Sequence, residues 1–352
     1  MPRPSRSAEI EAALLDEVFA HPADLVRVVA DALELSRAAV AARVRALIDG
    51  GYLQKTGTTR PSYRLGNHRR ATFAHALKGL AEDRVWSRDV APLLAGLPRN
   101  VLDICHHGVT EMVNNAIDHS EGRRLRVSVD RDAIRVVMAV DDDGIGIFRK
   151  ITRALDLPDE RLALLELAKG KLTTDPRRHS GEGVFFTSRM FDTFQIQSGE
   201  LVFDHQDAEA DDMLYELDPN VAAKGTAVLM EISTRSKRTA KQIFDEYSSG
   251  PDDYRFAKTV VPVRLAKVGD ENLLSRSQAK RLLQRVDRFS MVILDFEEVA
   301  SIGQAFADEV FRVFANQHPA IELIAVHAGP EVQQMIRRAE VARANNGQPP
   351  LS

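Results

Sequence analysis

The stretch TEMVNNAIDHS, residues 110–120, limits what this chain can be more than any other part of the sequence. Its apolar residues recur at helical spacing, which predicts an amphipathic helix with one buried stripe. Glu111, Asn115 and His119 follow one another at steps of four, so their side chains share one helical face. A carboxylate, a carboxamide and an imidazole on one face can bind a metal ion or position a water molecule. The motifs that accompany the helix decide between these roles.

Length and composition describe an ordinary soluble protein. The 352 residues suffice for two or three domains with their own cores, and 44% are hydrophobic, 28% charged, with a net charge of -4. No run of about 18 apolar residues occurs, so no membrane span is expected. The charged N-terminus lacks the apolar core of a signal peptide. Cys105 is the single cysteine, which excludes an internal disulfide and a zinc site built on several thiolates. We therefore expect a cytoplasmic protein.

The N-terminal segment, residues 1–66, is locally basic. Helices are expected over residues 8–20, 23–33 and 36–48, and YLQKTGTTRPSYRL predicts a hairpin. Ser36 is the expected N-cap of the third helix. Between residues 36 and 70, eight basic residues stand against one acidic residue, a net charge of +7 that favours a polyanionic partner. The basic residues are Arg37, Arg43, Arg45, Lys55, Arg60, Arg64, Arg69 and Arg70.

Three helices followed by a basic hairpin resemble a winged helix-turn-helix domain. On that resemblance the third helix enters a major groove of double-stranded DNA, with Arg37, Arg43 or Arg45 near the DNA. The hairpin residues Lys55, Arg60 and Arg64 would then meet phosphates. The alternative is a dimerisation or partner-docking module with a solvated basic face.

The rest of the chain divides into four further parts. Residues 67–100 are expected to form a helical connector, because they are too charged and irregular for a domain. Residues 101–240 alternate helices with mostly antiparallel strands, which predicts an α+β sandwich. Residues 250–343 run strand, helix, strand, helix, strand, helix, which indicates an α/β layer with a covered sheet. The tail, residues 344–352, is expected to be disordered.

Four motifs follow one another along residues 101–240, and their order is informative. The helix with Glu111, Asn115 and His119 is followed by Asp142-x-Gly144-x-Gly146, Gly181-x-Gly183 and Gly225-Thr226. The set resembles the GHKL ATPase superfamily, the Bergerat fold shared by type II topoisomerases, histidine kinases and anti-sigma-factor kinases. With it, the chain is interpreted as multidomain α+β: a winged helix, a Bergerat α/β sandwich and a small α/β domain. The resemblance implies ATP and Mg²⁺ as cofactors.

The resemblance gives the helix residues specific roles. Asn115 is similar to the family's metal-binding asparagine, whose neutral oxygen suits Mg²⁺ when phosphates supply the charge. Glu111 resembles the general base that orients an attacking water or hydroxyl; the alternative is a carboxylate held in a salt bridge. His119 either contacts phosphate or stabilises the end of the helix through its dipole.

The other motifs are assigned to the adenine and the phosphates. Asp142, rather than its neighbours Asp141 and Asp143, would accept a hydrogen bond from the adenine amino group. Gly144 and Gly146 would let the backbone approach the base, and Thr226 would hold a water against it.

The expected ATP lid, residues 147–180, is polar and should be mobile without ligand. Gly181 and Gly183 precede a helix whose N-terminus would face the phosphates. The lid's positive charge, suited to triphosphate oxygens, comes from Lys169, Lys171, Arg177 and Arg178.

Residues 250–343 contain the stretch MVILDFEEVASIGQAFADEVFR, which looks like a strand, a turn and a helix. With it, this small α/β domain resembles a STAS-like domain, the fold of anti-sigma-factor antagonists. Where true antagonists carry a phosphorylatable serine, this sequence has Gln304 and Ala305, and Ser301 lies nearer the strand. The phosphate acceptor is therefore missing from its usual place.

Three functions follow from these resemblances. The first is an ATP-responsive regulator in which Mg-ATP binding, with or without slow hydrolysis, controls binding to DNA or a protein partner, as in transcription regulation. The second is an anti-sigma-type kinase acting on a partner serine, and the third an ATPase without phosphotransfer. A homodimer is expected by likeness to family members. DNA affinity that falls steeply with salt would favour the first function, and phosphate on a partner serine the second.

Overall fold

The computed structural model describes residues 6–66, 69–132, 134–172, 181–206, 211–218, 223–250, 253–267 and 272–346. The N-terminal segment has a hydrophobic core of its own. The central and C-terminal segments share one continuous core. None of the helices in these ranges is both long enough and apolar enough to cross a bilayer.

The N-terminal unit contains three helices and a hairpin. They are α1 (Arg6–Glu17), α2 (Leu25–Ala32), α3 (Arg37–Asp49), β1 (Leu53–Thr56) and β2 (Ser62–Leu65), and β1 pairs antiparallel with β2. Ser36 caps α3, because its side chain accepts a hydrogen bond from the Ala39 N–H. Val40, Val44 and Leu47 form the buried face of α3, as the sequence predicts. The order of elements agrees with the expectation, and the winged-helix assignment stays a prediction.

The expected helical connector is wrong for its first part. Residues 69–76 form strand β3 (Arg69–Ala76), which pairs antiparallel with β4 (Arg124–Arg131) at the edge of the central sheet. Exposure alternates along β3 residue by residue, which is the strand period that its charged flanks obscure in the sequence. Helical structure begins later, in α4 (Glu82–Arg84), a π-helical turn (Val85–Val90) and α5 (Ala91–Leu94).

The central unit is a seven-stranded antiparallel sheet covered by helices. Its strand order is β3-β4-β5-β9-β6-β7-β8. The long helix α6 (Arg99–His119) buries an apolar stripe that includes Val109, Met112 and Ala116. Helix on sheet is the predicted layering. The remaining elements are β5 (Arg135–Asp142), α7 (Ile147–Leu155), α8 (Leu162–Lys169), α9 (Gly183–Met190), β6 (Thr193–Gly199), β7 (Leu201–Gln206), β8 (Asp211–Glu216), β9 (Ala223–Ser233) and α10 (Ala240–Tyr247).

The C-terminal unit is a small parallel α/β layer. A hairpin of β10 (Ser248–Gly250) and β11 (Asp253–Phe256) leads into a parallel sheet of order β12-β13-β14. Its strands and helices are β12 (Lys258–Pro262), α11 (Arg276–Leu283), β13 (Met291–Asp295), α12 (Gln304–Asp308), α13 (Ala315–Gln317), β14 (Glu322–Val326) and α14 (Pro330–Asn346). Helix α14 includes residues 344–346, which were expected in a disordered tail, and residues 347–352 lie outside the described ranges.

Candidate functional site

A cavity of about 270 Å³ lies in the central unit, between α6, the end of β5 and the start of α9. The volume is near the lower end of small-molecule pockets. The structure brings most of the predicted residues to its walls. They are Glu111, Asn115, His119, Asp142, Gly146, Gly181, Gly183 and Thr226.

Asp142 is the member of the aspartate triplet that lines the cavity. Its Oδ1 accepts hydrogen bonds from the backbone N–H groups of Gly144 at 2.8 Å and Thr226 at 3.3 Å. Burial raises the pKa of the Asp142 carboxyl, and these hydrogen bonds oppose the rise. Asp141 instead pairs with an arginine side chain, and Asp143 accepts from two backbone N–H groups. The carboxylate that faces the cavity is therefore the one the motif predicts.

The two glycines after Asp142 have different surroundings. Gly146 lines the cavity with φ +91°, a conformation that favours glycine, and a Cβ there would overlap the Ser198 hydroxyl. Gly144 is not in the cavity wall; a Cβ there would overlap the carbonyl of Ser120 at the end of α6. The role expected for Gly144 beside a base is thus replaced by close packing of the loop against α6.

Thr226 connects two walls of the cavity. Its side chain is buried, and its Oγ1 accepts a hydrogen bond from the Ile147 N–H at 3.0 Å. Its own N–H donates to Asp142. The threonine therefore links the carboxylate to the first turn of α7, and its expected role of holding a water against the adenine stays a prediction.

The helix α6 presents its polar face to the cavity. Nδ2 of Asn115 is buried and has no hydrogen-bond partner within the described ranges. Gly183 begins α9, and a Cβ at this position would overlap Oε2 of Glu111. The carboxylate of Glu111 therefore lies against the N-terminus of α9, where backbone N–H groups favour anions.

The two lysines of the expected lid, Lys169 and Lys171, do not line the cavity. The Nζ of Lys169 is buried and lies 2.6 Å from Glu166 Oε1, and the Nζ of Lys171 donates to the Arg288 carbonyl at 2.8 Å. Both ammonium groups thus face the C-terminal unit, and the expected phosphate contact of Lys171 is wrong for this structure. Burial of α8 explains why Lys169 does not reach the cavity, because every residue of this helix is buried. Arg177 and Arg178 lie outside the described ranges.

Lys150 is a cavity residue that the sequence reasoning missed. It lines the wall from α7, and its Nζ lies 3.1 Å from Oε1 of Glu121. Its position four residues after Gly146, one turn into α7, would have identified it as a basic residue at the same edge.

The candidate DNA-contacting residues lie on the N-terminal unit and are mostly exposed. Arg43 is half-buried and pairs with Glu11 at 3.5 Å, and Arg64 donates to the Gln54 side chain at 2.8 Å. The other candidates, Arg37, Arg45, Lys55 and Arg60, are exposed.

The donor set of the cavity fits an adenine nucleotide with magnesium. One end offers the half-buried carboxylate of Asp142 between apolar walls. The other offers the Asn115 carboxamide beside a helix N-terminus, with a buried nitrogen that has no partner in the described part of the chain. A Cβ at Gly183 would overlap the Glu111 carboxylate, so the glycine leaves room for that carboxylate at the helix N-terminus. These features are what a base at one end and phosphates at the other require.

Comparison with known families identifies two domains. The family model of the histidine kinase-like ATPase domain matches residues 73–202, which include Glu111, Asn115, Asp142 and the Gly181-x-Gly183 motif. The family model of a STAS-like domain of unknown function matches residues 278–333. A search of curated proteins found no match. The chain therefore carries a histidine kinase-like ATPase domain of the GHKL type, followed by a STAS-like domain.

Proposed function

We propose that this protein is a Mg-ATP-binding regulator whose central domain controls binding to DNA or to a protein partner. The observation that carries the proposal is that one cavity is lined by Asp142, Thr226, Asn115 and Glu111 together with the N-terminus of α9. A regulator needs a ligand site coupled to other surfaces, and here the ATPase domain lies between two further units.

The adenine end is assigned to Asp142 and Thr226. A buried carboxylate accepts a hydrogen bond from an exocyclic amino group but repels a carbonyl oxygen, which selects adenine over guanine. The hydrogen bonds from Gly144 and Thr226 fix the orientation of this carboxylate. The apolar wall residues Val140, Ile196 and Val228 suit the faces of a base.

The phosphate end is assigned to Asn115, Glu111 and the first turn of α9. A bound magnesium ion would neutralise phosphate charge, and the Asn115 side-chain oxygen would serve as one of its oxygen ligands. The N–H groups at the start of α9 favour the phosphates. Glu111 lies where a carboxylate can take a proton from an attacking water or hydroxyl.

The N-terminal unit is the proposed output. Ile134, in the turn between β4 and β5, packs against the N-terminal core, and Asp16 on α1 pairs with Arg235 at 3.3 Å. A change in the central sheet therefore reaches the N-terminal unit through direct contacts. The exposed Arg37 and Arg45 on α3 suit contact with DNA.

A serine protein kinase of the anti-sigma type is the second candidate. The placement of Glu111 in the cavity, together with a STAS-like domain in the same chain, favours it. The two candidates differ in whether phosphate leaves ATP for a partner serine. Incubation with labelled ATP and cell extract, followed by phosphoserine mapping, distinguishes them.

Binding and turnover of ATP test the proposal. We expect wild-type protein to bind ATP in a magnesium-dependent way and Glu111→Ala to bind with little change while losing turnover. If the wild type and Glu111→Ala both bind ATP and neither turns it over, the protein is a nucleotide-gated switch and the kinase candidate is excluded. A wild type that binds no adenine nucleotide would refute the proposal.

A further inference from the structure

The ATPase domain and the STAS-like domain share a buried ion cluster. Glu166 and Lys169 on α8 are each about 1% exposed, and Lys169 Nζ lies 2.6 Å from Glu166 Oε1. Arg285, which follows α11 of the STAS-like domain, places Nη1 2.7 Å from Glu166 Oε2. A buried ion cluster tolerates one geometry, since a displaced partner leaves a buried charge unpaired. The cluster therefore fixes one register between the domains.

Hydrogen bonds to the chain around the cluster extend the contact. Lys169 Nζ donates to the carbonyls of Arg281 at 3.2 Å and Gln284 at 2.9 Å. In return, the Lys169 carbonyl accepts from the buried Thr259 hydroxyl at 2.7 Å. These bonds fix the end of α8 from two elements of the STAS-like domain.

The next two residues are held in the same way. The Lys171 carbonyl accepts hydrogen bonds from the guanidinium groups of Arg285 and Arg288. Lys171 Nζ donates to the Arg288 carbonyl and lies 4.5 Å from the centre of the Phe289 ring. The backbone at residue 171 is thus bound to the STAS-like domain through both its carbonyl and its side chain.

The opposite side of this short segment is a wall of the cavity. Leu167 and Leu172 line it, and the Leu172 N–H donates to the carbonyl of Gly181, another wall residue, at 2.9 Å. Residues 166–172 therefore have the nucleotide cavity on one side and the STAS-like domain on the other. Because packed interiors transmit displacement rather than absorb it, this wall and the domain contact move together.

We propose that the STAS-like domain is an allosteric element of the same chain, which holds the cavity wall formed by residues 166–172 in its nucleotide-binding position. Docking of the domain preorganises the wall and so raises nucleotide affinity. By linkage, bound nucleotide strengthens the docking by the same factor. The inference rests on the proposed nucleotide site and adds the element that regulates it.

The test compares the affinity of full-length variants for a non-hydrolysable ATP analogue with magnesium. Arg285→Ala removes the partner of Glu166 from the STAS-like side, and we expect its Kd to rise about tenfold or more. Arg288→Ala removes an exposed donor to the Lys171 carbonyl and puts folding at little risk; we expect a rise of about threefold. The matched control is Arg312→Ala, which breaks an arginine–aspartate pair inside the STAS-like domain and should leave Kd unchanged.

Hydrogen exchange provides a readout that a merely structural contact would not move. In the wild type, the analogue should slow amide exchange in residues 281–289, and in Arg285→Ala this response should be lost. Unchanged Kd in both contact variants, or exchange in residues 281–289 that ignores the analogue, overturns the inference. If the wild type binds the analogue and either of these results is found, only the coupling between the domains is refuted. If the wild type does not bind the analogue at all, the proposed function is refuted.

Discussion

The backbone of Gly183 lies so close to the Glu111 carboxylate that a Cβ at position 183 would overlap Oε2. Gly183→Ala should therefore displace the end of a flexible side chain, with little cost to the fold. We expect ATP turnover to fall about 10- to 100-fold, because a displacement of about 1 Å in a catalytic group has effects of that size. Turnover and the melting temperature are the two measurements.

Gly329→Ala is the matched control for this prediction, since a Cβ at Gly329 meets nothing within 4 Å. The control should keep both turnover and melting temperature. If Gly183→Ala turns over ATP as fast as the wild type, Glu111 does not act as the general base of the reaction.

Asn115 is expected to provide the magnesium-dependent part of nucleotide affinity. Its side-chain oxygen would coordinate the ion, and its Nδ2, buried without a partner within the described ranges, would donate to a phosphate oxygen. Asn115→Ala should bind ATP equally with magnesium and with EDTA, whereas the wild type should bind about 10-fold more tightly with magnesium. Isothermal titration under both conditions measures the difference.

Asn114→Ala controls for changes to α6 itself, because Asn114 is half-buried on the same helix but does not line the cavity. It should keep the magnesium response. A magnesium response that survives in Asn115→Ala would place the ion on other ligands.

Asp142 is expected to set base selectivity. In Asp142→Asn, an amide oxygen can still accept from Gly144 and Thr226, which turns the NH₂ group toward the amino group of adenine. Loss of a hydrogen bond involving a charged group costs about 1.5–3 kcal/mol, so ATP affinity should fall roughly 10- to 150-fold. The ratio of ATP to GTP affinity is the measurement that isolates the base.

Asp141→Asn and Asp143→Asn are neighbouring controls, because their carboxylates bond to Arg126 and to backbone N–H groups instead. Both should keep the preference for ATP. If Asp142→Asn keeps the preference for ATP and one of the two controls loses it, the contact with the base would be reassigned to that neighbouring aspartate.

His107 should make the protein sensitive to acid. Burial lowers the pKa of His107 to about 4, with the neighbouring His106 as a second cause. Between pH 6.5 and pH 4 the unfolded chain binds the extra proton, so the stability that neutral His107 contributes is present above pH 6.5 and lost as the pH falls. The pKa difference corresponds to roughly 3 kcal/mol.

The variant His107→Phe should lose less stability across this window than the wild type, because it cannot be protonated and its ring can pack on Phe244 as the imidazole does. Urea unfolding at pH 7 and pH 4.5 measures the difference. His106→Phe, at an exposed position on the same helix, is the control: it removes only the smaller cause of the pKa shift and should still lose most of the stability that the wild type loses across this window. Parallel losses in His107→Phe and wild type would contradict the assignment.

Most residues around the cavity were predictable from the sequence, by two different routes. Helical spacing alone places Glu111, Asn115 and His119 on one face, because helix period is a short-range property of the chain. Asp142, which ends a strand, and Gly146, which follows it, were assigned to the same site by the resemblance of their motif to the GHKL superfamily.

Long-range pairing was not accessible in the same way. The strand character of residues 69–76 depends on pairing with residues 124–131, about 55 positions away. Lys171 was expected to contact phosphate as part of the positively charged lid that the resemblance implies, yet its partner Arg288 lies 117 residues further along the chain. Spacing within a motif says nothing about a partner in another domain, so these two assignments failed.

The last prediction concerns the N-terminal unit. If α3 meets DNA, Arg37→Ala and Arg45→Ala should each weaken binding across sequences and reduce the slope of log K against log salt by about 1, the value for one lost phosphate contact. Arg27→Ala is the control, because that arginine is engaged by Asp24 and Asp31 on the same face of α2. Fluorescence anisotropy between 50 and 200 mM salt, a range in which phosphate contacts lose much of their strength, measures the slopes. Equal slopes in all four proteins would assign the basic face to a protein partner, since only contacts that release counterions from phosphates change this slope.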